Sequence, residues 1–185
     1  MWQLSKKSQN VNTTLRLVLS ALFLALSIIL PTIISMGSPQ LGQTFLPMHI
    51  PVMLCGIVCG TPYGIVIGLI APLLKSVITG LPVITSAISM AFELATYGGM
   101  CGMLYKAFPK KIGYIYPNLL ISMIIGRIVN GSINYLITTA SDSDFVLKSF
   151  ITLTTINALP GIVIQFAIIP LIVLALRKTR FMLNE

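Results

Sequence analysis

The sequence predicts an all-α integral membrane protein, a bundle of six transmembrane helices with both termini in the cytoplasm. Three observations carry that prediction. Of the 185 residues 56% are hydrophobic and 9% charged, more apolar surface than a soluble domain of this size can hide. The apolar residues run in long stretches, the first as long as the ~20 residues needed to cross a ~30 Å hydrocarbon core. Apart from Arg127, the twelve Lys and Arg residues gather toward the ends of those stretches, and basic loops mark the cytoplasmic side.

Residues 1–12 are polar, carry Lys6 and Lys7, and are expected as a short cytoplasmic tail. The first span, 15–35, contains Ala21 and Ala25, small residues four apart that let another helix come close. Pro31 falls near its far end, where a break is tolerated. No small-residue cleavage site follows this span, which argues against a signal peptide. Residues 35–47 are uncharged and hold Gly37, Pro39, Gly42 and Pro47, so a loop is expected there. The tract 48–78 fits either one tilted helix or two shorter ones. Gly60 suits a helix C-terminus and Pro62 the first turn of the next helix, which divides it into 48–60 and 62–78. Three more spans follow at 86–105, 115–138 and 150–176.

Charge parity supports the division. With six spans, Lys6, Lys7 and Arg16, the Lys106/Lys110/Lys111 loop, and Arg177, Lys178 and Arg180 all fall on one side, and the Asp142/Asp144 loop on the other. With five, the two terminal clusters would lie on opposite faces, against the positive-inside rule. Residues 1–185 read as a single membrane domain, and no internal repeat supports an inverted-repeat carrier.

Ionisable groups inside a span are costly and mark functional sites. Glu93 lies about two turns into the fourth span. In the fifth, Arg127 is near mid-depth, and Asn130 and Asn134 share its helical face. Asn157 in the sixth is level with Glu93, with Gln165 deeper. His49 opens the second span and Lys75 closes the third. Most of these groups sit in the outer half, the pattern of a pocket open to the outside. Each also has a plainer reading. Glu93 and Arg127 can neutralise one another as a structural pair, and a paired arginine still has donors for a ligand carboxylate. Lys75 can snorkel to the headgroups, His49 can be an interfacial residue, and each asparagine can hydrogen-bond between helices. The glycine series Gly56, Gly60, Gly64 and Gly68 points to close helix packing.

Several function classes lack their residues. The basic residues have no aromatic interleaving or known motif, which argues against nucleic acid. Cys55, Cys59 and Cys101 lie in apolar spans without the histidine or second cysteine pair of a zinc site, so they read as packing thiols and no metal is expected. Lys75-Ser76 has no glycine before it, so no phosphate-binding loop forms. A single histidine and few acids leave little for hydrolysis, and the protein is not expected to be an enzyme.

The Ala21/Ala25 pair, the segment Leu41-Gly-Gln-Thr-Phe-Leu-Pro-Met-His-Ile-Pro-Val-Met-Leu-Cys-Gly56 and the stretch Ala91-Phe-Glu-Leu-Ala-Thr-Tyr-Gly98, on six short apolar helices, resemble the substrate-binding S component of an energy-coupling factor (ECF) transporter. The resemblance covers essentially the whole chain. It implies a multi-pass protein of the bacterial cell membrane that captures a vitamin from outside. It also implies docking on a membrane-embedded T component, coupled to two cytoplasmic ATPases, and toppling in the bilayer to release substrate inward. Ala21 and Ala25 would be docking residues. The partners would use the ATP, leaving this chain without a cofactor. The 35–47 loop would cover a pocket lined by Gln43, His49, Lys75, Glu93, Arg127, Asn130, Asn134 and Asn157. The only tryptophan is Trp2, in the tail, so a tryptophan-lined riboflavin or thiamine pocket is unsupported. Pantothenate, with a carboxylate, an amide and two hydroxyls, fits the cations and amides, and the residues around His49 are similar to pantothenate-type S components. Pyridoxine, hydroxymethylpyrimidine and folate remain alternatives. Outside this class stand a ligand-free membrane assembly protein and a stand-alone secondary carrier.

Overall fold

The computed structural model describes residues 2–35, 42, 44–139, 159–179 and 182–184, and the side chains among them except those of 2–12, 138 and 139. Among the described residues the main helices are α1 (Trp2–Ser35), α2 (His49–Cys59), α3 (Thr61–Thr79), α4 (Ile84–Ala107), α5 (Ile115–Thr139) and α6 (Leu159–Lys178). A short 3-10 turn, Ile112–Tyr114, precedes α5.

The division of the 48–78 tract is present. Gly60 caps α2 with φ 108° and its N–H bonds to the Gly56 carbonyl, and Pro62 lies in the first turn of α3. At φ 108° a side chain would strain the backbone, so glycine permits the reversal without cost. Residues 2–12 of the expected tail continue the helix of the first span.

Four helical segments are long and apolar enough to cross a bilayer: Thr13–Ser35 within α1, Thr61–Thr79, Ile112–Ile137 and Leu159–Lys178. The expected crossing at 48–60 is an 11-residue helix, about 16 Å long, roughly half a hydrocarbon core. Ten of its residues are buried, so its neighbours shield it and its apolarity is that of a core helix. At 24 residues α4 has the length to cross, but Ser86, Ser89, Glu93 and Thr96 make it less apolar.

Glycines set the centre of the bundle. A Cβ on Gly98 would lie 2.3 Å from the Gly64 carbonyl oxygen, and one on Gly56 would lie 2.0 Å from that of Gly98. Helices α2, α3 and α4 therefore meet at backbone contact. Gly68 abuts Leu94 and Ala95, so α3 and α4 run antiparallel. Gly126 accepts the ring of Tyr97, and the Asn118 amide donates to the Cys101 carbonyl at 3.1 Å, so α5 is antiparallel to α4.

One end of the bundle gathers both terminal regions. Arg16 donates to the Leu183 carbonyl, and the Leu183 N–H bonds to Val58 O at 3.0 Å. Arg177 donates to the Tyr105 hydroxyl and, at 2.8 Å, to the Lys110 carbonyl. The amide of Asn184 reaches Gly102 O at 3.0 Å. The far end holds the start of α2, the ends of α3 and α5, and the start of α6.

Candidate functional site

The polar residues of α4 and α5 converge in this far half. Glu93 is 2% exposed, and its carboxylate has four neighbours on three helices. The Tyr97 hydroxyl donates to Oε1 at 2.7 Å and the Asn130 amide to Oε2 at 2.5 Å. Arg127 Nη1 stands 3.4 Å from Oε1, and His49 Nε2 stands 4.0 Å from it. The Asn134 amide then donates to Asn130 Oδ1 at 2.6 Å, extending the network along α5. A buried carboxylate is tolerable only when paired and hydrogen-bonded, and Glu93 has both kinds of partner.

Local sequence explains the arrangement. Tyr97 follows Glu93 by four residues, one turn along the same face. Gly126 removes the side chain that would occupy the phenol ring's place. On α5, Asn118, Ser122, Gly126 and Asn130 recur every four residues and are all buried, while Arg127, 23% exposed in its side chain, stands at the edge of that face. His49 packs its ring 5.4 Å from that of Tyr97. It is 1% exposed, and among the described residues neither ring nitrogen has a hydrogen-bond partner.

The turn before α2 closes over this region. Leu46 has φ 48°, a left-handed conformation that costs a branched residue about 1–2 kcal/mol. Its carbonyl accepts the His49 N–H at 3.1 Å and the Gln165 amide at 3.5 Å. Gly161 lets α6 approach the Thr44 and Phe45 backbone. The described part of the expected lid thus rests on the start of α6.

Of the expected site residues, His49, Glu93, Arg127, Asn130 and Asn134 come together. Lys75 is buried at the end of α3 but makes no hydrogen bond or ion pair among the described residues. Gln43 and Asn157 lie outside the described residues. Tyr97 was not singled out in the sequence, although its spacing from Glu93 was the available signal. Gln165, noted there only for its depth, joins α6 to the Leu46 turn. Ala21 and Ala25 are exposed on α1, whereas Ser20, Phe23, Ser27 and Pro31 form its buried face. The Cys55 thiol donates to Ser20 Oγ at 3.6 Å, and all three cysteines are free and buried.

An apolar helical bundle with four helical segments long enough to cross a bilayer, and a buried polar cluster in one half, defines an integral membrane protein. The family model for the ECF transporter, substrate-specific component, matches residues 15–175, and the chain belongs to that family. It is therefore a substrate-binding subunit of a transporter rather than an enzyme, in a family that works with T and ATPase subunits. No curated protein and no solved structure matches the chain.

Proposed function

We propose that this chain is the substrate-specificity subunit of an ECF-type importer and that the cluster around Glu93 is the inner wall of its vitamin site. The observation that carries this reading is the convergence of Glu93, Arg127, Asn130, Asn134 and His49 from three helices in one half of the bundle. Apolar packing alone would hold such helices at least as well. The alternating directions of the helices and the shared end of Arg16, Lys110 and Arg177 favour six membrane segments with both termini cytoplasmic. The site then opens outward, and the 35–47 loop with Gln43 covers it, with Asn157 contributing from the sixth segment.

Pantothenate is the favoured substrate, because its carboxylate, amide and two hydroxyls match the cations and amides present. Ala21 and Ala25, exposed on α1, form the face that docks on the T component. ATP is consumed by the partner ATPases, and this chain needs no cofactor. The test is mass spectrometry of the small molecule that co-purifies with the detergent-extracted protein, followed by calorimetric titration. Pantothenate in the purified protein is the expected result. A neutral pyridine or pyrimidine would replace it as substrate, and uptake by vesicles that lack ATPase partners would overturn the ECF mechanism for this chain.

A further inference from the structure

The charges around the site do not cancel. Glu93 and Arg127 are within 3.4 Å and neutralise each other. Among the described residues, the remaining charge in this half of the bundle is Lys75. It lies on the buried face of α3 with Gly64, Ile67, Gly68, Ala71 and Pro72, a helical stripe directed at α4. The residue is 9% exposed, and among the described residues its ammonium has neither an acid nor a hydrogen-bond acceptor.

Its height follows from the helix register. Gly64 meets Gly98 and Gly68 meets Leu94 and Ala95, so continuing the antiparallel pairing sets Lys75 level with Ala87. That is six residues beyond Glu93, about 9 Å at the helical rise. Burying an ammonium without a counter-ion is unfavourable, whereas an incoming anion would complete the pair. At the level of Glu93, where its Nε2 stands 4.0 Å from Oε1, His49 presents buried ring nitrogens without hydrogen-bond partners among the described residues, and a neutral imidazole can offer one donor and one acceptor.

We infer that Lys75, not Arg127, is the counter-charge of the substrate, and that the site takes a monoanion with its acid group at the rim. The uncharged part of the ligand reaches inward to His49, Asn130 and Asn134. Arg127, already neutralised by Glu93, frames the site. This inference rests on the substrate-binding role proposed above and adds the charge and orientation of the ligand.

The experiment compares pantothenate with pantothenol, in which a CH2OH group replaces the carboxylate, by calorimetric titration of the purified full chain. Wild-type protein should prefer the acid by about 10- to 100-fold, the range of a charge-assisted bond. Lys75→Gln should lose that preference by weakening the acid alone, and Lys75→Arg should restore it. Lys75→Met provides a second charge-removing variant should the glutamine protein not fold. A preference that survives both charge removals would overturn the inference, leaving Lys75 as a snorkelling residue while the substrate reading stands. Equal weakening of both ligands would also overturn it, making Lys75 a structural residue. Failure of the wild type to bind either compound would remove the pantothenate reading and this inference together.

Discussion

At the end where the terminal regions meet, arginines donate to neutral oxygens, and in the far half an arginine meets a buried glutamate. Arg177 bonds to the Tyr105 hydroxyl and the Lys110 carbonyl, and Arg16 to the Leu183 carbonyl. These bonds fasten a loop and the chain's last described turn to the bundle, and among the described residues no buried carboxylate pairs with these arginines. Arg127 instead neutralises a glutamate whose side chain is 3% exposed. Removing one member of such a pair strands the other charge in a low-dielectric interior. The first arrangement closes the structure. The second is a costly way to join helices, a cost that the proposed role in binding a polar ligand would explain.

The largest test of this contrast breaks both ends at once. Gly98→Val places a side chain on the Gly64 backbone, where even a Cβ would lie 2.3 Å from the carbonyl oxygen. No monodisperse folded protein should be recovered on size-exclusion chromatography. Ala25→Trp touches neither end. It should abolish uptake in vesicles containing the T and ATPase subunits while calorimetry shows unchanged substrate affinity, and loss of binding as well would return Ala25 to packing within the bundle. Arg127→Ala strands the Glu93 carboxylate, whose charge would then repel an anionic ligand, so it should weaken substrate binding by about 10-fold or more and destabilise the fold by about 3 kcal/mol, the lower range for breaking a buried pair, because Arg127 is partly exposed. Arg177→Gln should cost about 1–2 kcal/mol, a drop of a few degrees in melting temperature, with affinity unchanged. If Arg177→Gln weakened binding as strongly as Arg127→Ala, the two ends would not be functionally distinct.

Much of the fold was legible because membrane burial writes itself into runs of residues. The Gly60–Pro62 break and the extents of α3, α4 and α5 follow from apolar stretches and backbone chemistry that need no tertiary information. The grouping of Glu93, Arg127 and Asn130 is legible too, since charges and amides stand out against apolar neighbours. Other features depend on which helices become neighbours. Tyr97 reads as a core aromatic until Gly126 is found beneath its ring. The shortness of α2 is invisible in an apolar tract, because a helix wrapped by protein and one wrapped by lipid have the same composition. Nothing in the polar residues 2–12 announced that they continue α1, since a polar helix carries no apolar stripe to read.

The contact between Leu183 and Val58 has a practical consequence. Met182 is 8% exposed, and Asn184 reaches the Gly102 carbonyl beneath the α2–α3 turn. Residues 182–184 seat against the helices here, so a bulky group attached at these positions competes with that seat. The same seat makes the C-terminus a reporter: a fluorophore at Asn184→Cys, read beside the three buried native cysteines, would register loosening of the α2–α3 turn without touching the substrate site.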